Sequence, residues 1–308
     1  MPESRDQLPI ITVVGATATG KSDLALDLAE HLGGEIINTD SMQFYRGMDI
    51  GTAKLPVAER RGIPHHLIDI LDVTEEANVQ DFQVSARTTI EQVRKRGHRP
   101  ILVGGSGLYV RAAVDHMEFP GTDPDVRARL EAAAAADRWS LHMRLQELDP
   151  EAAAKITVND QRRIARALEV IELTGRPFSA QLPDYQEIEP TIHLGLSMDR
   201  PVLHDRIATR VELMWEHGWV DEVRHLLDHG LAEGKTASRA IGYAQIRRHL
   251  DGELTAAEAK EETTIRTRQF ARRQDTWFRR DPRIRWIDGS AADAGANLAA
   301  ALEILAES

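Results

Sequence analysis

The sequence predicts an α/β fold in which a parallel sheet carries helices on both faces and is interrupted by an all-helical insertion. In the first hundred residues, short apolar runs rich in β-branched side chains alternate with amphipathic segments, as in strand–helix–strand units. After residue 114 the strand patterns stop, and helical patterns that include Ala132–Ala136 replace them. We therefore predict a core formed by residues 1–114 and 191–308, and a helical insertion domain formed by residues 115–190.

The core begins with a buried strand, Ile10–Val14, and an amphipathic helix, Ser22–Leu32, which Gly33-Gly34 should end. Residues 46–78 show no regular pattern. The remaining predicted elements are, in order, a strand at Glu35–Asn38, a helix at Gln80–Arg96, a strand at Pro100–Gly104, helices at Trp139–Glu147, Pro150–Ile156 and Asp160–Leu173, a strand at Ile192–Met198, a mostly helical remainder, and a short strand near Ile284–Ile287.

Composition excludes several classes of protein. The absence of cysteine excludes disulfide frameworks, cysteine zinc sites, iron–sulfur clusters and thiol catalysis. The net charge of −11 argues against a uniformly basic nucleic-acid coat, although a local basic face remains compatible with it. No run approaches the roughly 18 apolar residues of a membrane span, and the N-terminus, with Glu3 and Asp6, does not resemble a signal peptide. A cytoplasmic protein is the expectation.

The strongest motif is Gly15-Ala16-Thr17-Ala18-Thr19-Gly20-Lys21-Ser22, which matches G-x-x-x-x-G-K-[ST] between a predicted strand and a predicted helix. Its glycines let backbone N–H groups converge on an anion, and the helix N-terminus adds partial positive charge. Lys21 supplies a full charge, and Ser22 is a candidate Mg²⁺ ligand. The motif predicts a P-loop, and hence a core like that of P-loop NTPases that binds polyphosphate, but it does not say which bond is broken.

Asp40-Ser41-Met42-Gln43 follows the second strand and should lie at the carboxyl edge of the sheet, where open α/β sheets bind ligands. A carboxylate at position 40 could ligate Mg²⁺, accept a proton from a nucleophile, or cap the next segment. The third strand ends in Gly104-Gly105-Ser106-Gly107, where a P-loop ATPase would have an aspartate that orders Mg²⁺. Small residues there could leave room for a bulky ligand, with Ser106 as a hydrogen-bonding partner, or could simply form a tight turn.

Positive charge is concentrated near the C-terminus. Residues 266–285 hold eight arginines against two aspartates, a local charge of +6. Arginine favours phosphate recognition and stacking, although an ordinary solvated helix face is the alternative. Trp277 and Phe278 in this stretch could stack on bases, but we expect each of them to pack in the core. A smaller cluster, Arg162, Arg163 and Arg166, lies on a helix of the insertion. For His65-His66 we predict no metal site, since neighbouring side chains of a strand point apart.

Taken together, the motifs resemble the tRNA dimethylallyltransferases, also called tRNA isopentenyltransferases, over nearly the whole chain. The matching segments are GATATGKS, DSMQFYR, IPHHLID, VGGSGLY, DPDVRARL, NDQRRIARALEV, SRAIGYAQ and TRQFARRQDTWFRR. The resemblance implies transfer of a dimethylallyl group from its diphosphate to N6 of adenosine 37 of tRNA, just 3′ of the anticodon. It also implies that Mg²⁺ and the P-loop bind the departing diphosphate.

By resemblance, Asp40 is the catalytic base, and Thr19 and Arg239 contact the diphosphate from opposite sides. Gln43 would hold the adenine after it leaves the anticodon-loop stack. The resemblance gives the following residues as tRNA contacts: Asp40, Ser41, Met42, Gln43, Ser106, Arg127, Arg162, Arg163, Arg166, Arg239, Gly242, Tyr243, Arg272, Arg273, Gln274, Trp277 and Arg279. The sequence departs from the family pattern at Gln161, where proline is common, and at Ala244, where a basic residue is common.

Three other functions share some of these features. A small-molecule kinase would bind ATP in the P-loop, but it would need an aspartate at the end of the third strand. A prenyltransferase acting on free adenine nucleotides would share the P-loop and Asp40, but not the arginine-rich helix and the insertion. A non-catalytic RNA-binding module would have no use for the complete phosphate cradle. The acceptor is therefore expected to be the anticodon loop of tRNA, the donor dimethylallyl diphosphate, and the protein a monomer with no membrane partner.

Overall fold

The computed structural model describes residues 8–179, 185–290 and 294–307, and within them it confirms the predicted α/β core. Six parallel strands form one sheet in the order β3-β2-β4-β1-β5-β6. The strands are β1 (Ile10–Gly15), β2 (Gly34–Asn38), β3 (His65–His66), β4 (Arg99–Gly104), β5 (Thr191–Ser197) and β6 (Arg285–Asp288).

Helices connect the strands. They are α1 (Lys21–Leu32), α2 (Val79–Lys95), α3 (Gly107–Val114), α4 (Pro124–Ala136), α5 (Arg138–Leu148), α6 (Pro150–Lys155), α7 (Gln161–Thr174), α8 (Arg200–Glu216), α9 (Trp219–Asp228), α10 (Tyr243–Leu250), α11 (Ala256–Phe278) and α12 (Ala294–Ala306). None of these helices, in the part of the chain that the structure describes, has the length and apolar character needed to cross a membrane.

The chain divides into two compact units, one formed by Met1–Val114 and Glu187–Ser308 and the other by Asp115–Gln186. Residues 187–190 belong to the first unit, where Pro190 O accepts a hydrogen bond from Ile10 N at 3.0 Å. In the second unit, α4–α7 surround an apolar core. Residues 1–7, which carry Glu3 and Asp6, and residues 180–184 of the predicted insertion lie outside the described residues.

Sheet register explains where a site can form. All six residues of β1 are buried, as expected for a central strand with helices on both faces. Val14 pairs with Gly104 of β4, and Asn38 of β2 pairs with Val103. The carboxyl ends of β1, β2 and β4 therefore meet, and the segments that follow these three strands lie at one edge of the sheet.

Two elements were not predicted. β3 is only two residues long and pairs with Ile36 and Ile37, so it is too short to show a periodic pattern. α3 begins at Gly107 inside the glycine-rich segment, where glycine argues against a helix. Gly34 begins β2, so Gly33, in the left-handed conformation at φ 63°, is the residue that ends α1.

Glu35 organises the amino-terminal end of β2. Its side chain is 1 % exposed and accepts hydrogen bonds from Arg96, from His98 Nδ1 at 2.6 Å and from His66 Nε2 at 2.5 Å. The Arg96 guanidinium is the main reason that the pKa of Glu35 falls to about 2, with His98 and His66 adding to the effect against the opposing influence of burial. His66 thus contributes to an ion-pair cluster on the sheet.

Replacing this carboxylate should destabilise the fold. We expect Glu35→Gln to lower the free energy of unfolding at pH 7 by about 3 kcal/mol, the low end for a broken buried ion pair, because Arg96 stays partly solvated. Because the folded-state pKa is depressed, this contribution is complete above about pH 4.5 and is lost as the pH falls toward 2. Urea unfolding at pH 7 and at pH 3 measures both effects.

The matched control is Glu30→Gln, which removes an exposed carboxylate paired with Arg61. It should cost less than about 1 kcal/mol at pH 7. Equal losses for the two variants at pH 7 would contradict the structural role of Glu35.

Candidate active site

The P-loop forms a strand–turn–helix unit at the carboxyl end of β1. A side chain at Gly15 would lie 2.5 Å from Leu196 O of the neighbouring strand, so the backbone there leaves room only for glycine. Gly20 precedes α1 at φ 94°, in the left-handed conformation that glycine adopts without strain. The turn thus ends at the N-terminus of α1, where the helix dipole favours an anion.

Lys21 and Thr19 both hold this turn. Lys21 Nζ donates a hydrogen bond to Ala16 O at 2.6 Å, and the buried Thr19 hydroxyl donates to the same oxygen at 2.9 Å. Burial lowers the pKa of Lys21 to about 8, although Asp40 opposes this effect. A partly desolvated ammonium gains more from an anionic ligand than an exposed one does.

Asp40 caps the segment after β2 and also faces open space. Its Oδ1 accepts a hydrogen bond from Met42 N at 3.0 Å, so the capping role is real. Oδ2 makes no hydrogen bond with any residue that the structure describes. Burial raises the pKa of Asp40, while Met42 N–H, Lys21 and Arg210 act in the opposite direction.

Two cavities adjoin at Asp40. The larger, of about 780 Å³, is lined by the P-loop and by basic side chains, and the smaller, of about 360 Å³, is lined by many apolar side chains. The residues that line the larger cavity include Gly20, Lys21, Ser22, Gln43, Lys54, Gly104, Gly105, Arg206 and Arg210. The smaller cavity includes Met42, Ser106, Ile207, Met214, Trp219, Arg239, Tyr243, Phe270 and Arg273. Both include Thr17, Ala18, Asp40, Thr52 and Arg210.

Arg210 is a candidate that the sequence reasoning missed. It lies on α8, is half-buried, lines both cavities and is close enough to act electrostatically on Asp40 and Lys21. Burial lowers its pKa, although Asp40 opposes this effect. A signal was present in the sequence, since Arg206 and Arg210 are four residues apart on one helix face, directly after a strand that pairs with β1.

The structure brings most of the predicted residues of the first unit to these cavities. Arg239 is exposed and lines only the smaller cavity, together with Ser41, Met42, Ser106 and Arg273. Gln43 lines the larger one, and its Nε2 donates to Thr52 O at 3.0 Å.

Gly242 and Tyr243 have packing roles at the smaller cavity. A side chain at Gly242 would collide with the Trp219 ring, and Tyr243 is buried with its hydroxyl donating to Glu222 at 2.5 Å.

The glycines at and after the end of β4 make room for neighbouring protein groups, and Gly104 and Gly105 also line the larger cavity, so the expectation that they leave space for a ligand stays a prediction. An added side chain would lie 2.2 Å from Thr39 Oγ1 at Gly104, 2.1 Å from Gln274 Nε2 at Gly105 and 2.0 Å from Trp277 Nε1 at Gly107.

Gln274 and Trp277 therefore connect α11 to the sheet edge. Gln274 Oε1 accepts from Thr17 N at 2.8 Å, and Nε2 donates to Gly105 O at 2.9 Å, so both ends of this buried amide are engaged. Trp277 lies against Gly107 yet stays 41 % exposed, so the prediction of simple core packing was wrong for Trp277, whereas Phe278 is buried as predicted.

The C-terminal arginines do not form one uniform patch. Arg279 pairs with Asp275 and lies over the Trp286 ring, and other members of the predicted cluster, Arg266, Arg283 and Arg285, have acidic partners. Arg272 and Arg273 are exposed and form no ion pair with any residue that the structure describes. Together with Arg280, which is also exposed and unpaired among the described residues, these two arginines are the members of the cluster best placed to meet an anionic partner.

In the second unit, Arg127 and Arg166 hold a buried carboxylate. Both guanidinium groups contact Glu169, which is 0 % exposed, and Arg166 also donates to Pro120 O at 2.7 Å. Arg162 and Arg163 are exposed on α7. Contact of these four residues with tRNA stays a prediction. Arg162 and Arg163 are the two whose guanidinium groups are not bound to Glu169.

A single bound Mg²⁺ fits the P-loop. The described residues contain no cluster of three or more metal-binding side chains, but Mg²⁺ commonly binds through one or two protein oxygens and the substrate phosphates. The exposed Ser22 hydroxyl, at the start of α1 and on the wall of the larger cavity, is such an oxygen.

Comparisons with known proteins agree with this geometry. The family model described as IPP transferase matches residues 43–281, which is most of the chain but begins after the P-loop. Curated relatives match more than nine-tenths of the chain. Proteins called tRNA dimethylallyltransferase are 60 % identical over 290 residues in Thermobifida fusca (92 % of this chain and 91 % of the relative) and 58 % identical over 289 residues in a Nocardioides strain (93 % of each).

Solved structures show the same likeness. The full-length tRNA isopentenylpyrophosphate transferase of Bacillus halodurans matches with a TM-score of 0.72 and 40 % identity, covering 98 % of this chain and 96 % of that one. A eukaryotic dimethylallyltransferase, studied while acting on tRNA, matches with a TM-score of 0.82 and 28 % identity, covering 96 % of this chain and 78 % of its own. With relatives this similar along nearly its whole length, the chain belongs to the IPP transferase family of tRNA dimethylallyltransferases.

Proposed function

We propose that this enzyme transfers the dimethylallyl group of dimethylallyl diphosphate to N6 of adenosine 37 in tRNA and releases diphosphate. Membership of the family supports transfer of the group to tRNA. The observation that carries the chemistry is the position of Asp40. This carboxylate lines both the cavity formed by the P-loop and basic side chains and the more apolar cavity, and it has one oxygen free of hydrogen bonds to described residues.

The larger cavity suits the diphosphate of the donor. Lys21, Arg206 and Arg210 supply positive charge, and the N-terminus of α1 adds its dipole. The allylic C–O bond breaks with its electron pair going to the diphosphate oxygen, so groups that stabilise this developing charge accelerate the reaction. Mg²⁺, when bound at Ser22, would neutralise further charge on the leaving group.

The smaller cavity suits an extruded base. Its walls include the rings of Trp219, Tyr243 and Phe270, with Arg239 and Arg273 also lining it. A base inside a folded anticodon loop cannot reach a recessed atom, so the target nucleotide must leave its stack. Apolar and aromatic walls then replace the stacking that the base has lost.

The acceptor nitrogen needs a base because its lone pair is delocalised into the adenine ring. As N6 forms the bond to the allylic carbon, it must lose one proton, and Asp40 Oδ2 is the acceptor that we assign. The raised pKa of Asp40, caused by burial, makes it a stronger base than an exposed aspartate. The balance is one C–N bond formed, one C–O bond broken and one proton moved to Asp40.

A kinase has less support, because β4 ends in Gly104-Gly105 where phosphoryl-transfer enzymes of this class have a Mg²⁺-ordering aspartate.

The direct test incubates the protein with tRNA, Mg²⁺ and dimethylallyl diphosphate and analyses the digested tRNA by mass spectrometry. N6-dimethylallyladenosine at position 37 is expected, and none in a tRNA transcript that carries guanosine there. Hydrolysis of ATP without prenylation of tRNA would contradict the proposal.

The first variant tests the base. Asp40→Asn keeps the size and the capping oxygen but cannot accept the proton, so we expect kcat to fall about 10²–10⁴-fold. The Kd for tRNA should stay within about threefold of wild type, since the contact surface is preserved. Single-turnover prenylation and filter binding measure the two quantities.

Asp81→Asn serves as the control for Asp40→Asn, because Asp81 is an exposed aspartate in the first turn of α2. It should leave both quantities unchanged. Turnover of Asp40→Asn at the wild-type rate would remove Asp40 from the base role.

A second pair of variants separates two arginines. Arg210 lines both cavities, whereas Arg239 lines only the smaller one. We expect Arg210→Gln to weaken the binding of inorganic pyrophosphate with Mg²⁺ about 10–100-fold, the value of a charge-assisted hydrogen bond. Arg239→Gln should change that affinity less than about threefold and act mainly on tRNA. Titration calorimetry measures the affinity of each variant for pyrophosphate. A larger loss for Arg239→Gln than for Arg210→Gln would favour Arg239 as the diphosphate contact.

A third pair tests the exposed arginines of α11 and its C-terminal end. Arg272→Ala should weaken tRNA binding and lower the slope of log K against log salt concentration by about 1, as for one lost phosphate contact. Arg279→Ala should have a smaller effect, because Arg279 is already paired with Asp275. Binding measured at four salt concentrations gives both slopes, and a wild-type slope for Arg272→Ala would exclude that contact.

A further inference from the structure

Asn38 is the last residue of β2 and holds the main chain on both sides of Asp40. Its side-chain Oδ1 accepts a hydrogen bond from Asp40 N at 2.9 Å, and its Nδ2 donates to Asp40 O at 3.0 Å. Nδ2 also donates to Leu67 O at 2.9 Å. Asn38 is 4 % exposed, so these bonds are shielded from water.

The arrangement requires an amide. The two contacts to Asp40 need one acceptor and one donor, and the contact to Leu67 needs a second donor. An aspartate could only accept, and an aliphatic residue could do neither. The assignment of oxygen and nitrogen in Asn38 is fixed by its partners, because a carbonyl oxygen can be matched only by the NH₂ group.

These bonds determine where the carboxylate of Asp40 points. With the peptide groups before and after Asp40 held, the Asp40 backbone is fixed at φ −90°, ψ 111°. Met42 N–H then holds Oδ1 at 3.0 Å, which leaves Oδ2 for the cavities. The hydrogen bonds of Asn38 and Met42 together thus define the direction of the free oxygen.

The third bond connects Asn38 to the segment after β3, which contributes Ile68 to the wall of the larger cavity. Leu67 has φ 58°, a left-handed conformation that a non-glycine residue adopts only when its surroundings hold it. Ile68 lines the cavity, and Asp69 accepts a hydrogen bond from the buried Lys54 Nζ at 2.5 Å. The side chain of Asn38 therefore fixes the position of the segment that carries Asp40 relative to the segment after β3.

We propose that Asn38 is a positioning residue for catalysis: it aims the Asp40 carboxylate at the reacting nitrogen by bracketing the backbone of Asp40 and anchoring it to Leu67. This inference rests on the proposed role of Asp40 as the base. Asn38 borders the larger cavity, but its side-chain oxygen and nitrogen are engaged by the backbone of Asp40 and Leu67, so we expect it to contribute to kcat by way of Asp40 and little to substrate affinity. A misplacement of about 1 Å at a reacting group can cost about 100-fold in rate.

Two substitutions at position 38 test the proposal. Asn38→Ala removes all three bonds, and we expect kcat to fall about 10–100-fold while KM for tRNA and for dimethylallyl diphosphate stays within about threefold. Asn38→Ser keeps a hydroxyl that can accept the Asp40 N–H, so its kcat should lie between those of Asn38→Ala and wild type. Steady-state kinetics and thermal melting are measured for each.

The matched control is Asn78→Ala. Asn78 caps α2 with a comparable side-chain bond, accepting from Gln80 N at 2.8 Å, and is not part of either cavity wall among the described residues. Its loss should lower the Tm without changing kcat. A fall in kcat for Asn38→Ala that is matched by Asn78→Ala at equal loss of Tm would overturn the positioning role, as would a kcat for Asn38→Ala within threefold of wild type.

A double variant shows whether Asn38 acts through the carboxylate. In the Asp40→Asn background, Asn38→Ala should lower the single-turnover rate less than about threefold further. A full 10–100-fold loss in that background would mean that Asn38 acts by another route and would overturn the inference. Wild-type turnover by Asp40→Asn alone would overturn the base role itself. If Asp40→Asn is impaired as expected but the position-38 variants do not behave as predicted, only the positioning role is overturned.

Discussion

The carboxylate of Asp40 lies in the electrostatic field of two desolvated cations, and the rest of the site depends on that balance. Burial raises the pKa of Asp40, while Lys21 and Arg210 act to lower it. The same burial lowers the pKa of each cation, and Asp40 acts to raise it. Asp40 and each cation therefore stabilise each other's charged form, whereas Arg210 disfavours the charged form of Lys21, and this coupling arises because three separate segments meet at one sheet edge.

An anionic donor changes this balance in a direction that suits the proposed reaction. Diphosphate brought to Lys21 and Arg210 compensates their positive charge, so the two cations stabilise the Asp40 carboxylate less than before. Its affinity for a proton then rises when the donor is in place, and the base becomes stronger at the stage when the acceptor amine must lose a proton.

The sequence was sufficient for the central part of this arrangement but not for its supports. Short apolar runs and a glycine-rich motif predict the P-loop and the alternation of strands and helices along the chain. The rule that parallel strands end at one edge of a sheet predicts the position of Asp40. Arg210 was missed because its helix is separated from the P-loop by most of the chain, and pairing of β5 with β1 is what brings it near.

The glycines at and after the end of β4 show a different limit of sequence reasoning. A glycine reports that space is needed but not what fills it, and here the space is filled by Thr39, Gln274 and Trp277. The arginine-rich segment was likewise only partly interpretable, because its charge depends on partners such as Asp275 and Glu307 that only the fold identifies. Composition gave the charges, but the fold decides which of them are compensated.

Hydrogen-bond saturation separates the structural carboxylates of this protein from the one we place in catalysis. Glu35 accepts bonds from three cationic or imidazole side chains, Glu169 is held by two arginines, and Glu222 accepts three backbone N–H groups and a tyrosine hydroxyl. The oxygens of such a carboxylate are occupied by hydrogen bonds, and for Glu35 these bonds lower the pKa. Asp40 accepts one backbone bond, and its pKa is raised. A half-buried carboxylate with an unused oxygen is costly to the fold, and its position at the junction of two cavities is what a proton acceptor in the reaction requires.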